Sequence, residues 1–139
     1  MIDRDRLRRQ LTRHEGMKLK PYIDTVGKIT IGCGRNLTDK GISQAEADLL
    51  LDNDMDECLA DCATFPWFAS LNGVRQRAIL DLRFNLGAAG LRAFKRTLAA
   101  MARGDFIAAA AHLADSKWFR QVGVRGPRIV AMLRTGRDE

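Results

Sequence analysis

The sequence contains no hydrophobic run of the length that a membrane-spanning helix requires, which is roughly 18–20 residues. Its N-terminal stretch, residues 1–6, carries two acidic side chains and lacks the apolar segment of a secretory signal. We therefore expect the chain to be synthesised in the cytoplasm. To act in another compartment, the protein would need a partner that allows it to leave the cytoplasm.

Cysteine and histidine are too few and too scattered to predict a metal site. The three cysteines, Cys33, Cys58 and Cys62, are odd in number and follow no ligand spacing. Cys58 and Cys62 lie four residues apart on a predicted helix, with no Cys or His nearby to complete a zinc site. We expect all three to be free thiols with structural roles.

Lys and Arg are absent from residues 41–74, a segment that contains seven Asp and Glu residues. The basic residues collect instead in residues 4–20 and 75–137, and the formal net charge is +6. A basic surface attracts polyanions such as nucleic acids and anionic bacterial envelopes. The sequence matches no helix-turn-helix, zinc finger or RNA-binding aromatic motif, so no nucleic-acid partner is expected. An anionic envelope surface stays open as a partner.

The N-terminal third predicts one helix followed by a small β segment. Asp3 can cap a first helix that carries Leu7 and Leu11 on its apolar stripe. Residues 17–22 and 28–31 then predict two strands on either side of a turn.

The remainder of the chain predicts helices. Ser43 and Glu46 form a capping box that opens a long helix to about Ala63. Asn72 and Asp105 can cap later helices. The expected fold class is therefore α+β, in one domain of a size that 139 residues allow.

Glu15, Asp24 and Thr30 lie in one short stretch where a helix end, a strand and a glycine-rich turn can converge. Glu15 ends the first helix, where the helix dipole disfavours an anion and suits a carboxyl that carries a proton. Asp24 lies in a polar turn, which suits an ionised carboxylate that orients a water molecule. Polysaccharide hydrolysis requires such a pair of carboxyl groups. Each residue alone has a common structural explanation, and only the joint pattern indicates chemistry.

This joint pattern resembles the catalytic signature of the phage-type lysozymes, the endolysins of the T4 lysozyme family. The matching letters are E-G at 15–16, D-T at 24–25 and G-x-x-T-I-G-x-G at 27–34, with eight residues between Glu and Asp and five between Asp and Thr. Further family positions recur in the same order in the second half of the chain: Phe84–Gly87, Phe94, Leu98, Ser116–Phe119, Gln121 and Arg134–Gly136.

The resemblance implies a lysozyme-like α+β fold, with a small β-containing N-terminal lobe and a larger all-helical C-terminal lobe joined by a long helix. Residues 1–139 would form a single lysozyme domain. It would comprise the small lobe at 12–42, the connecting helix at 43–63 and the helical lobe at 64–139, with the helix 3–14 packing on the helical lobe. We expect a monomer, because no long exposed apolar stripe requires a partner subunit.

The resemblance also implies a glycoside hydrolase of the lysozyme type, a muramidase. Glu15 would be the general acid that protonates the glycosidic oxygen, and Asp24 and Thr30 would position the attacking water, with inversion at the anomeric carbon. The substrate would be bacterial peptidoglycan, cut at the β-1,4 bond between N-acetylmuramic acid and N-acetylglucosamine. No metal or organic cofactor is implied. The enzyme would accumulate in the host cytoplasm and cause lysis once a holin permeabilises the membrane.

Matching the family position by position places further roles on this chain. The residues that contact the glycan or its peptide fall on Asn36, Phe84, Thr97 and His112. Arg125 matches a family arginine that pairs with the acid, here Glu15. Arg35 stands where the family often has His, and we expect it to pair with an acid of the connecting helix such as Asp54.

Two other classes of function stay open. A lytic transglycosylase needs the acid but no water-activating carboxylate, so Asp24 and Thr30 argue against it, while a chitinase-like specificity is left open by the sequence. A non-enzymatic binder of anionic envelopes would rest on the basic charge alone. That alternative predicts that cell killing survives the loss of Glu15.

Overall fold

The structure, a computed structural model, describes residues 1–138. Within them the chain forms seven α-helices, one short 3₁₀ turn at Phe68–Ser70 and one three-stranded sheet. The helices are α1 (Arg4–Glu15), α2 (Gln44–Cys62), α3 (Gly73–Arg92), α4 (Lys95–Ala102), α5 (Phe106–Ala114), α6 (Lys117–Gln121) and α7 (Arg125–Thr135). The strands are β1 (Lys18–Ile23), β2 (Ile29–Gly32) and β3 (Arg35–Asn36). Two compact units result, Met1–Leu49 and the part from Leu50 onward.

Helix α1 begins and ends where its local sequence predicts. Asp3 caps it by accepting a hydrogen bond from the amide of Arg6 at 2.9 Å. Gly16 ends it with φ +76°, and its amide donates to the carbonyl of Thr12 at 2.8 Å. No residue of α1 is buried, and Leu7 and Leu11 are 41% and 45% exposed. The packing of this helix on the helical lobe stays a prediction.

The sheet is antiparallel, in the order β1-β2-β3. Thr30 in β2 pairs with Tyr22 in β1 on one side and with Asn36 in β3 on the other. The first two strands lie about one residue beyond their predicted positions. The two-residue β3 was not predicted, because such a short strand is specified by its pairing with β2 rather than by a period of its own.

Helix α2 opens with the predicted capping box. The hydroxyl of Ser43 accepts a hydrogen bond from the amide of Glu46 at 3.1 Å. The carboxylate of Glu46 in turn accepts one from the amide of Ser43 at 2.9 Å. Two of the amides that the start of the helix leaves unpaired are thus satisfied reciprocally.

Three helices of the second unit begin with a polar N-cap residue. Asn72, Asp105 and Ser116 each accept a hydrogen bond from the backbone amide three residues later, at 2.9, 3.0 and 3.1 Å. The sequence predicts a helix end at Gly87, and that residue indeed leaves helical geometry, with φ +77°. The chain resumes the helix at once, so α3 is two helical segments across a kink.

The hydrophobic core lies in the second unit. Its largest fully buried side chains are Ile79, Leu82, Leu91, Met101, Leu113, Ile129, Leu133 and Cys62. Trp118 packs at the edge of this core, and its indole N–H donates to Oδ1 of Asn85 at 2.8 Å. A buried indole needs such a partner to offset the loss of water.

This content of helices and a small sheet is consistent with a lysozyme-like α+β fold, as predicted. None of the helices described for residues 1–138 combines the length and the apolar character needed to cross a bilayer.

Candidate active site

Glu15, the proposed acid, lies at the last position of α1, and its side chain packs against the glycine-rich turn after β2. A Cβ atom placed on Gly34 would lie 2.8 Å from Oε2 of Glu15 and 3.2 Å from its Cδ. Such distances are possible only because Gly34 has no side chain. The helix end and the G-x-G turn therefore converge, as the spacing of the motif suggested.

The Glu15 side chain lines a cavity of about 530 Å³ within the first unit. One face of α1 and the segments beside it supply the wall, formed by Arg4, Leu7, Arg8, Leu11, Thr12, Glu15, Met17, Cys33 and Gly34. Among the described residues neither carboxyl oxygen of Glu15 has a hydrogen-bond partner within the protein. The carboxyl group is thus available to a ligand.

Asp24 is held rigidly at the turn between β1 and β2. Its Oδ1 accepts hydrogen bonds from the backbone amides of Val26 at 2.9 Å and Lys28 at 2.8 Å. The half-buried carboxylate is fixed through one oxygen, and its Oδ2 has no partner within residues 1–138. This oxygen is oriented by the turn and can accept a hydrogen bond from water.

Thr30 is the buried residue of the sheet, with 4% of its surface exposed. Its hydroxyl donates to the carbonyl of Lys28 at 3.1 Å. The same Lys28 provides an amide to Asp24, so Asp24 and Thr30 are anchored to one residue of the backbone.

The side chain of Asn36, a predicted glycan contact, is engaged in a local turn. Its Oδ1 accepts from the amide of Asp39 at 3.0 Å, and its Nδ2 donates to Oδ2 of Asp39 at 2.9 Å. Lys28 also donates to Asp39, at 3.2 Å. Asn36 is therefore fixed in orientation beside the strand that carries Thr30.

Arg35 pairs with an acid of α2, but the predicted partner Asp54 was wrong. Its guanidinium lies 2.9 Å from the carboxylate of Glu46 and also donates to the carbonyl of Gly41 at 3.3 Å. The hydrogen bond from Arg35, helped by the amide of Ser43, lowers the pKa of Glu46 to about 2. The capping box already turns Glu46 towards the loop before α2, which explains why it is preferred.

Thr97 and His112 meet in the second unit. Both line a polar cavity of about 330 Å³ together with Lys95, Arg96 and Asp115. Thr97 is 2% exposed, whereas His112 is half-buried. The charged residues of this cavity were not predicted from the sequence. The signal that could have identified two of them is that Lys95 and Arg96 directly precede the predicted contact residue Thr97 at the start of α4.

Phe84 and Arg125 line a different, more apolar groove of about 380 Å³, also within the second unit. Nε of Arg125 lies 3.2 Å from Oδ1 of Asp81, three residues before Phe84 on α3. Sequence analysis missed this partner. The predicted pairing of Arg125 with Glu15 stays a prediction.

The three thiols are free, as expected: Cys33 is half-buried, and Cys58 and Cys62 are buried. Burial raises the pKa of Cys62 to about 11 and also raises that of Cys58. Within residues 1–138 no group of three or more His, Cys, Asp or Glu side chains is placed to hold a metal ion.

Comparison with known proteins identifies the class. The profile of the phage lysozyme family matches residues 12–137, which is most of the chain. The protein therefore belongs to the phage lysozyme family, a class of glycoside hydrolases, as its sequence motif predicted.

Three individual relatives are similar to most of this chain. The chain is 29% identical to the pre-baseplate central spike protein Gp5 of Enterobacteria phage T4, over 93% of this chain and 28% of that protein. It is 24% identical to the probable T4-type lysozyme 1 of Dictyostelium discoideum, over 88% of this chain and 89% of the relative. For the probable T4-type lysozyme 2 of the same organism the identity is 26%, over 94% of each. The chain spans just over a quarter of the spike protein and most of each amoebal relative.

Proposed function

We propose that this protein is a muramidase that hydrolyses the β-1,4 bond between N-acetylmuramic acid and N-acetylglucosamine in bacterial peptidoglycan. The observation that carries the proposal is the carboxyl of Glu15, which the end of α1 presents to a cavity against the glycine-rich turn. Membership of the phage lysozyme family supports the reaction class. Two of the relatives are named lysozymes.

Glu15 would act as the general acid. Its carboxyl lines the cavity and has no hydrogen-bond partner within residues 1–138, so no described group competes with the glycosidic oxygen for it as the bond breaks. Proton transfer by a positioned group typically contributes about 10²–10⁴-fold to the rate.

Asp24 and Thr30 would position the attacking water on the opposite face of the sugar. Two backbone amides hold Oδ1 of Asp24, which leaves Oδ2 to accept a hydrogen bond from that water. Direct attack by water inverts the configuration at the anomeric carbon, and inverting enzymes hold their two carboxyl groups roughly 6.5–9.5 Å apart. A fixed Asp24 also favours hydrolysis over a lytic transglycosylase, which needs no water.

The polar cavity of Thr97 and His112 would contribute to substrate binding. Lys95 and Arg96 supply positive charge and Asp115 negative charge, which suits the carboxylates and amines of the peptide on peptidoglycan. Phe84 and Asn36 would contact the glycan through an aromatic face and a fixed amide. Arg125 would orient the acid.

The biological role that fits this chemistry is that of an endolysin. The enzyme would stay in the host cytoplasm until a holin opens the membrane, then degrade the periplasmic wall and lyse the cell. The basic charge of +6 suits contact with an anionic envelope and would add to its antibacterial action.

The first test is mass spectrometry of purified peptidoglycan digested by the wild type, by Glu15→Gln and by Glu57→Gln. Glu57 is a matched control, because its side chain is 73% exposed and lies in the second unit. We expect soluble fragments with reducing N-acetylmuramic acid ends from the wild type and from Glu57→Gln. Glu15→Gln should be slower by about 10²–10⁴-fold.

The other outcomes are equally informative. Anhydro-muramic ends would show a transglycosylase and would contradict the role of Asp24. If Glu15→Gln still kills cells, and neither it nor the wild type releases soluble fragments, the protein would instead be a non-enzymatic binder of the envelope.

A further inference from the structure

We infer that Gly34 is a positioning residue for Glu15: its missing side chain lets the acid rest against the turn, in the orientation that catalysis uses. The inference rests on the proposed role of Glu15 as general acid and deepens it. It assigns a function to a residue that has no side chain with which to bind the glycan or exchange a proton.

The contact involves the outer half of the Glu15 side chain. A Cβ atom on Gly34 would lie 2.8 Å from Oε2, 3.2 Å from Cδ and 3.4 Å from Cγ. Three consecutive atoms of Glu15 thus surround the space that a Gly34 side chain would enter, and the nearest would be too close to a Cβ for either to stay in place. Because Glu15 is a flexible side chain at a helix end, an added methyl group would move the carboxyl while the backbone stays folded.

The acid has no other polar restraint within the described part of the chain. Its oxygens accept no hydrogen bond there, whereas Asp24 is fixed by two amides. Within the first unit, the contact with Gly34 is therefore what restrains the Glu15 carboxyl, whereas the proposed pairing with Arg125 would act in addition. A displacement of about 1 Å in a catalytic group can lower the rate by about 10²-fold.

Backbone strain can be separated from this packing effect. Gly34 has φ +66°, a left-handed conformation that costs energy for an L-residue. Gly41 has nearly the same φ, +65°, but a Cβ placed there would meet nothing within 4 Å. Gly41→Ala therefore reproduces the strain of Gly34→Ala without touching the acid.

The experiment compares kcat, KM and Tm of the wild type, Gly34→Ala and Gly41→Ala on soluble peptidoglycan fragments. We expect both variants to lose similar Tm. Gly34→Ala should lose about 10- to 100-fold in kcat at unchanged KM, because the acid moves while the binding residues do not. Gly41→Ala should keep the wild-type kcat.

A double-mutant cycle with Glu15→Asp tests whether Gly34 acts through the acid. If Gly34 had only a structural role, the two substitutions would lower kcat independently. Asp lacks one methylene, so its carboxyl is withdrawn from the closest contacts at Gly34, those of Oε2 and Cδ. We expect Glu15→Asp to lower kcat in the wild type and to cost little more in Gly34→Ala, since the acid is already displaced. If Gly34→Ala does not fold, Gly34→Asn and Gly41→Asn replace the pair, because Asn tolerates this backbone conformation better.

Two results would overturn the inference. Equal kcat for Gly34→Ala and Gly41→Ala, or effects of Gly34→Ala and Glu15→Asp that simply multiply, would show that Gly34 does not orient the acid. Either result leaves the wild type active and Glu15→Gln strongly slowed, so the proposed function would stand. A wild type that releases no fragments would instead overturn the proposed function itself.

Discussion

Glu46 shows how one carboxylate can serve two structures at once. It closes the capping box at the start of α2 and it accepts a hydrogen bond from Arg35 in β3. The bond from Arg35, followed by that from the Ser43 amide, lowers its pKa from 4.5 to about 2. Because the folded value lies below the unfolded one, the stabilisation is complete above about pH 4.5. It is lost as the pH falls through about 2.

We therefore predict that Glu46→Gln lowers Tm in a pH-dependent way. Gln preserves a hydrogen-bond acceptor but removes the charge, so the difference in Tm from the wild type should be largest at pH 6–7. It should shrink steadily between pH 4.5 and 2. Thermal unfolding followed by circular dichroism measures it, with Asp48→Asn as a control, since Asp48 bonds only to Gln44 among the described side chains. A pH-independent difference would contradict the prediction.

For individual side chains, the sequence predicted which kind of residue would form an ion pair better than it predicted the exact partner. Arg35 was predicted to pair with an acid of α2, which is right, but Asp54 was the wrong choice. Several acids of that helix are chemically equivalent in the sequence. Only the bend at Gly41 and the capping box decide that Glu46 faces the guanidinium.

At the scale of elements, Asp61 fastens the end of α2 to α3. Its carboxylate accepts hydrogen bonds from Arg83 at 2.5 Å and from Arg92 at 2.7 and 3.0 Å. The Arg83 side chain is 12% exposed and that of Asp61 is 19% exposed. Hydrogen bonds from Arg92 and Arg83 lower the pKa of Asp61. The face of Phe65 also packs against Arg92, with the guanidinium carbon 4.9 Å from the ring centroid.

Asp61→Ala should destabilise the protein by about 2–4 kcal/mol, because it leaves the covered Arg83 with only the more distant carboxylate of Glu57, 3.8 Å away. Urea denaturation measures this free energy of unfolding. Asp56→Ala on the same helix is the control, since Asp56 is exposed, and it should change the free energy by less than about 0.5 kcal/mol. Similar losses in the two variants would show that the cluster contributes nothing specific.

The helices that were predicted well from the sequence are those that begin with a recognisable N-cap residue. The caps at Asp3, Ser43, Asn72 and Asp105 were all identified, because each depends on a hydrogen bond three residues away. The strand β3 and the five-residue α6 were not identified as elements. Both are shorter than a useful hydrophobic period, and their neighbours in space specify them.

At the scale of the whole molecule, the two units are stabilised differently. The second unit contains the hydrophobic core, whereas Thr30 is the buried side chain of the first. The family and the α+β class followed from the sequence because a motif and local caps determine them. The packing of α1 on the helical lobe and the pairing of Arg125 with Glu15 stay predictions, because local sequence does not specify which distant surfaces meet.

Because the three thiols differ in burial, the number of thiols that react with a reagent measures how far the chain has unfolded. A thiolate is the reactive species towards disulfide reagents, and Cys62 is fully buried with a pKa of about 11. We predict that native protein at pH 7 reacts with one equivalent of a disulfide reagent, at Cys33. Cys58 and Cys62 should react only as fast as the second unit opens.

Peptide mapping by mass spectrometry identifies the modified residue, and labelling in urea should give three equivalents per chain. Rapid native labelling of Cys58 would contradict the prediction. Because the first equivalent belongs to Cys33, the reagent colour that develops beyond it reports the opening of the second unit.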